Sequence, residues 1–273
     1  MNNAVSDRMR AVIPRRFRAG LVLVALAGTW GAASEALAES AFLLPWPANM
    51  GRVPATTYDD HGAPLGDANL LIDQLDNGSV RVFSQSGDDH GAHTIATAEL
   101  TPVQPGETLR LARQESHSFD PHGNSIGSLA IDHQARTARC LDANGALEAE
   151  VALDAEDRVV NVPLNLLFMP LVRGETSELH FQLFLCRNGA RLVDFQAWVA
   201  AHATGAAPAP VEIRYAPDLG LFSPLAGQLV PRLSFWFDPR APHGWIAHRL
   251  PLYTGGPEVL VVKQGISSAS LAN

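Results

Sequence analysis

Two nine-residue stretches hold histidines and aspartates close enough in the chain to do chemistry together. Tyr58–Gly66 reads "YDDHGAPLG" and Phe119–Gly127 reads "FDPHGNSIG". Both follow one frame: aromatic, Asp, any residue, His, Gly, two residues, an aliphatic, Gly. His61, His90, His93 and His122 with Asp59, Asp60, Asp88, Asp89 and Asp120 are the imidazoles and carboxylates a metal site draws on. "DDHGAH", Asp88 to His93, is the densest group. A mechanical account needs no metal. The Asp carboxylate accepts backbone amides two residues on, and Gly62 or Gly123 adopts the left-handed conformation that closes a hairpin turn. Histidine is dispensable to that account, so the frame predicts plain turns, with no metal and no cofactor. "GNSIG", Gly123 to Gly127, also matches the G-x-S-x-G elbow of hydrolases, with Ser125 as nucleophile. An elbow needs a strand, a sharp turn and a helix, whereas the flanks here alternate like antiparallel strands, and the sister turn has Pro64 where Ser125 stands. Carboxylates are plentiful enough for a glycosidase pair, but none stands in a distinctive context. The chain has no phosphate loop, no dinucleotide fingerprint and no CxxC.

The elements that must position these residues read mainly as strands. "LHFQLFLC", Leu179 to Cys186, places Leu179, Phe181, Leu183 and Leu185 on one face. Asn188-Gly189 then marks a tight hairpin before "RLVDFQAWVA", and "DNG", Asp76 to Gly78, joins "NLLIDQL" to "SVRVFSQS" likewise. "TLRLARQESHSF", "VEIRYAP", "RLSFWFDP", "GWIAHRLPLY" and "EVLVVKQG" add further strands, spaced too closely for crossover helices. Two stretches differ. "NVPLNLLFMPLVRG", Asn161 to Gly174, suits a buried helix with Asn161 as its cap, and "LGLFSPLAGQLVP", Leu219 to Pro231, is a second short apolar segment. "ATGAAPAP", Ala203 to Pro210, reads as a long loop. The expected fold is therefore mainly β: a single curved antiparallel sheet with one or two short apolar helices packed on its concave face. It forms a single domain over 39–273, with 39–57 irregular.

Composition places the chain outside the cytoplasm. Arg8, Arg10, Arg15, Arg16 and Arg18 precede "AGLVLVALAG", which is too short to span a bilayer, and "ALA" ends at Ala38. Residues 1–38 thus read as a signal peptide cleaved after Ala38, giving a periplasmic protein with no transmembrane segment in the mature chain. The whole chain has 20 basic and 28 acidic residues; that segment takes five and two, leaving 15 against 26, a net charge of −11. Such a surface repels nucleic acid and anionic lipid headgroups, and it leaves the identity of any protein partner open. Cys140 and Cys186 suit a disulfide in an oxidising compartment; two buried thiols acting as small hydrophobes are the alternative.

The order "NVPLNLLFMPLVRGE", "HFQLFLCRNGARLVDFQAWV", "RLSFWFDPRAPHGWIAHRLPLY" resembles a family of bacterial periplasmic proteins of unknown function, over about Asn161 to Gly265. Its members look like distant relatives of the LolA-like envelope carriers, in which a curved antiparallel half-barrel wraps apolar helices. The resemblance implies that fold, a periplasmic location and an apolar ligand or lipid-linked partner, and it transfers no site residues. The residues themselves allow an apolar cavity between sheet and helices. Leu167, Phe168, Leu171, Phe181, Trp236 and Trp245 are the expected ligand contacts, although Trp236 alternates to the strand face opposite Phe235 and Phe237. The leading expectation is a non-enzymatic binder of a lipid or acyl chain. A periplasmic hydrolase using Ser125 or a carboxylate pair, and a structural envelope factor acting through a protein partner, remain as alternatives.

Overall fold

A computed structural model describes residues 43–87, 91–155, 157–187, 189–200, 209–218, 220, 233–253 and 255–271. The fold is mainly β. Fifteen strands join in one antiparallel sheet, in the order β10-β11-β12-β13-β14-β15-β2-β3-β4-β5-β6-β7-β8-β9. The strands are β1 (Leu43–Pro45), β2 (Gly51–Tyr58), β3 (Pro64–Gln74), β4 (Val80–Gly87), β5 (His93–Gln104), β6 (Thr108–Phe119), β7 (Ser125–Asp132) and β8 (Thr137–Leu141). They continue with β9 (Leu147–Ala152), β10 (Glu178–Leu185), β11 (Arg191–Val199), β12 (Val211–Pro217), β13 (Leu233–Phe237), β14 (Trp245–Pro251) and β15 (Glu258–Lys263). β1 lies off this path and pairs with Thr108–Arg110 of β6, below the point where β7 begins its pairing at Arg113. The stretch 39–57, expected to be irregular, instead holds β1 and most of β2. Its alternation (Val53, Ala55, Thr57 inward) is real but is interrupted in sequence by Gly51 and Pro54.

One face of this sheet turns inward almost everywhere. Leu70, Val82, Leu100, Leu111, Phe181, Phe195, Ile213, Phe235 and Val261 all belong to one buried cluster. Strands so far apart along the sheet can share a core only if the sheet curls. Its two ends do meet: Cys140 on β8 is disulfide-bonded to Cys186 just after β10, with Cα atoms 5.5 Å apart. Yet β9 and β10 do not pair with each other, so strand pairing does not close the sheet.

Residues 158–162 fill that seam. Val160 N–H donates to the Gln182 carbonyl and Gln182 N–H to the Arg158 carbonyl, while the Asn161 side chain bonds both backbone groups of Phe184. On the other side Gln114 of β6, fully buried, uses its whole amide. Its oxygen accepts the Asn161 and Val162 N–H groups, and its nitrogen donates to the Val159 carbonyl and to His133 Nε2. An amide nitrogen can only donate, so His133 Nε2 is the acceptor. Gln114→Ala would strand three backbone groups; partial relief by water leaves an expected loss of about 2 kcal/mol. Urea denaturation checks this, and an unchanged midpoint would show that the seam does not depend on the amide.

The apolar segment forms two short helices, α1 (Leu164–Leu167) and α2 (Met169–Val172), within the curl. Asn161 is no cap, being committed to Phe184; the position before α1 is Pro163, without a side-chain bond. A single helix fails because Pro170 lacks an N–H and its ring would clash with the carbonyl four residues back. Leu164, Leu166, Leu167, Phe168, Met169, Leu171 and Val172 are all buried in the main cluster. Among the described residues no helix is long and apolar enough to cross a membrane. The segment Leu219–Pro231, apart from Gly220, and most of Ala203–Pro210 lie outside the described residues.

Candidate functional site

The repeated turn is held by its Asp carboxylate and its glycine, and it occurs three times among the described residues. Asp59 Oδ1 accepts the His61 and Ala63 amides, Asp120 Oδ1 those of His122 and Asn124, and Asp142 Oδ1 those of Asn144 and Ala146. The closing glycines, Gly62, Gly123 and Gly145, have φ of 82°, 76° and 78°. Sequence reading missed the third copy, "LDANGALEA", because Leu141, Asn144, Glu148 and Ala149 replace the aromatic, the histidine, the aliphatic and the last glycine, leaving only Asp142 and Gly145 of the frame. Hydrogen bonds also hold both carboxyls below the usual carboxylate range: for Asp120 first the Asn124 side-chain amide and then the Asn124 backbone N–H, and for Asp142 the Ala146 and Asn144 backbone amides. His61 Nδ1 lies 3.6 Å from Asp60 Oδ1, and among the described residues no three His, Cys, Asp or Glu side chains are grouped to hold a metal ion. Asp88, Asp89 and His90 lie outside the described residues.

Each turn is followed by the same register shift. Thr57 pairs with Gly66 but Tyr58 with Pro64, Ser118 with Gly127 but Phe119 with Ser125, and Cys140 with Ala149 but Leu141 with Leu147. Leu65, Ile126 and Glu148 are thereby the extra residues of three bulges, and bulges re-aim side chains. Ile126 and Glu148 are turned onto the mouth of the large cavity. Gly127 is needed for a further reason: a Cβ there would meet the Leu141 carbonyl oxygen at 2.9 Å.

That cavity has a volume of about 610 Å³. It exists because two walls of opposite character face each other. Across β4, β5 and β6 the inward positions nearest the turns are Ser86, Thr94 and Ser118, which are register partners, and the next level in is Ser84, Ala96 and Ser116. Deeper still come Val82, Ala98 and Gln114, all fully buried, of which Val82 still lines the cavity. Small hydroxyl side chains leave room that larger ones would fill. The opposite wall is aromatic: Phe195, Tyr215, Phe235, Trp245 and His248. Val162, Pro163, Leu164 and Asn165 make the floor. The β14–β15 connection crosses the mouth, where Thr94 Oγ1 donates to the Leu252 carbonyl at 2.6 Å.

The aromatic wall carries the polar groups of Tyr215, Trp245 and His248. Trp245 is 8% exposed, and its Nε1–H has no acceptor among the described residues, an omission that ordinarily costs about 1–3 kcal/mol. The His248 ring lies 5.1 Å from that of Phe235 and 5.4 Å from that of Trp245. Burial pushes its imidazole down to about 4, so it is neutral at physiological pH. Burial likewise raises the Tyr215 phenol far above its ordinary range. His133, at the seam, is also pushed down to about 4, by burial and against the pull of Asp132.

These two histidines make stability pH-dependent. Their folded pKa lies below the unfolded value near 6.5, so between the two the unfolded chain binds more protons and stability falls as pH falls. From pH 7 to pH 5 each contributes an expected loss of about 2 kcal/mol, levelling off below about 4. Urea denaturation at the two pH values, with His248→Phe removing its share, measures this. Equal stability at both would show that neither histidine is held neutral.

The expected ligand contacts separate into three groups. Trp245 lines the cavity. Leu167, Phe168, Leu171 and Phe181 come together behind the aromatic wall, with Phe168 ring centroids 5.8 Å from Phe181, 5.5 Å from Tyr215 and 5.3 Å from Phe235. Trp236 lies on the outer face with Ile246, Ala247, Leu260, Val262 and Leu271, because neighbours in a strand alternate sides. His248, Asn165 and the serine rows were missed; the inward register of "SVRVFSQS" and "RQESHSF" was the signal that could have found them. Ser125 sits at the start of an antiparallel strand, its Oγ 3.4 Å from the Gly127 amide, and the strand–turn–helix of a nucleophile elbow is not formed there.

Fold and site together define a curled, unclosed antiparallel sheet around a cavity with one hydroxyl wall and one aromatic wall. Among solved structures, the chain is similar to a beta-barrel-like protein of the domain of unknown function DUF1849 from Brucella abortus. The identity is 11% and the TM-score 0.43, over 81% of this chain and 96% of that one. No protein-family model matches the chain, and no curated protein does.

Proposed function

We propose that the protein is an exported, non-enzymatic binder that carries an apolar or amphipathic ligand, such as a lipid or acyl chain, inside the curled sheet. The observation that carries this reading is the cavity itself. Its volume, about 610 Å³, lies within the usual range for small-molecule sites, and aromatic faces line one side of it. A sheet wrapping apolar helices is also what the LolA-like resemblance implies. The disulfide suits an oxidising compartment, in keeping with a periplasmic location reached through a signal peptide cleaved after Ala38.

The test is a thermal melt of delipidated protein with a panel of amphiphiles, alongside native mass spectrometry of protein purified from periplasm. A ligand at about 100 times its Kd would add about 2.7 kcal/mol to stability and raise the melting temperature. If no amphiphile moves the midpoint and the native protein carries no bound mass, the binding reading fails.

A further inference from the structure

We infer that the ligand is an anionic amphiphile, with a carboxylate or phosphate head, whose tail fills the cavity and whose head is held at the mouth by Arg187. The inference rests on the reading of the cavity as a binding site and narrows it to a ligand class.

The lining changes character along the cavity. Val162 and Leu164 on the floor, with Phe235 and Tyr215 on the aromatic wall, offer packing surface for an apolar tail. Among the described residues, carboxylate and guanidinium groups enter the lining only at the turn-bearing end. They are Glu148 on the β8–β9 bulge and Arg187 just past Cys186. An amphiphile fits such a gradient with its tail inward and its head at the mouth, where an ionised group keeps contact with water and meets a cation.

Arg187 is positioned rather than merely present. Its backbone follows Cys186, which the bond to Cys140 holds at the end of β10. Its guanidinium rests on Gly255 of the connection that crosses the mouth, in space that a side chain there would take: a Cβ at 255 would collide with Nη1 and Cζ. Among the described residues the guanidinium has no hydrogen bond and no ion pair, with Glu148 or any other carboxylate. Its fork of N–H donors is therefore open to an oxyanion, which it can grip with two parallel bonds. The surface as a whole works against an anion, since the chain's formal net charge is −8 and Glu148 shares the mouth. Any selection for an anionic head is thus local, and Arg187 is the one Lys or Arg in the cavity lining among the described residues.

Calorimetric titration of the delipidated full chain at about pH 8, below micellar concentrations, tests this with sodium dodecanoate, dodecyl phosphate, methyl dodecanoate and sodium acetate. One or both of the long-chain anions are expected to bind, and which one does identifies the head. Arg187→Gln should weaken that binding about fivefold while leaving methyl dodecanoate unchanged. The residue is exposed, so the exchange spares the core, and Arg187→Lys, which keeps the charge but loses the fork, should fall between. Acetate, which has no tail to bury, should not bind detectably. Equal loss of anion and ester in Arg187→Gln, or loss of neither, overturns the inference but leaves the cavity a binding site. Binding of the ester without either long-chain anion does the same, as does acetate binding as tightly as dodecanoate. Failure of every probe overturns both.

Discussion

Replacing Cys140 and Cys186 together by serine is expected to lower the stability of the folded chain by about 4 kcal/mol, through release of a loop of 46 residues in the unfolded state. The geometry suggests that the native state feels the loss as well. The bridge joins β8 to the end of β10 across a gap that no strand pairing spans. Cys140 is buried in a satellite cluster with Ile131, Ala138, Leu153, Val159 and Phe184, which is the apolar filling of the seam. Other fasteners there are the Gln114 amide, the bonds of Asn161 to Phe184 and those of Arg158 and Val160 to Gln182. Arg187, next in sequence, lies against Gly255 of the connection that crosses the cavity mouth. Loosening the bridge should therefore raise hydrogen exchange along residues 158–162 and around Gly255 before it affects β3–β5, where each strand is paired on both sides. Urea denaturation of the oxidised protein and the double variant measures the first part. A difference under about 1 kcal/mol would mean that the seam is held by its hydrogen bonds alone.

The alternation of strands was legible because one face of nearly every strand is buried, and period-two patterning is the direct consequence. "TLRLARQESHSF" and "VEIRYAP" coincide with β6 and β12 to the residue. Closure of the curl was not legible. It depends on Gln114, and a glutamine alternating with Leu and Arg looks like any solvent-facing position until the chain 47 residues later turns out to bond its oxygen. Three bulges were hidden for a related reason: the frame that encodes them was visible, but a bulge is a relation between two strands, and one strand's sequence states only half of it. The binding site was partly read. Size and hydrophobicity pointed to Phe168, Phe181 and Trp245, whereas the cavity is created by what is small, the serines at positions 84, 86, 116 and 118. Absence of bulk leaves a weaker mark in sequence than its presence. Trp236 shows the converse, since its burial on the outer face follows from parity alone.

Phe168→Ala is expected to destabilise the protein by about 3–5 kcal/mol. The ring is fully buried at the junction of α1 and α2 and contacts the faces or edges of Phe181, Tyr215 and Phe235. Truncation leaves a void behind Tyr215 and Phe235, the two aromatics that present their other sides to the cavity. Relaxation is limited, because α1 is pinned at its start by the Gln114 bonds to Asn161 and Val162. Phe168→Leu refills most of the volume and should cost about 1.5 kcal/mol, as near-isosteric core exchanges do. The variant also distinguishes a packed core from a carrier. If the aromatic wall merely encloses a void, ligand restores nothing, and wild type and Phe168→Ala show equal shifts with any amphiphile. If the wall is a binding surface, tilting of Tyr215 and Phe235 into the new space changes the shape the ligand meets, and the ligand-induced shift in melting temperature falls in Phe168→Ala while Trp236→Phe, altered on the outer face, keeps the wild-type response. Thermal melts of the three proteins with and without methyl dodecanoate decide between these outcomes. A loss under about 1 kcal/mol for Phe168→Ala would show that the helices are not part of the fixed core at all.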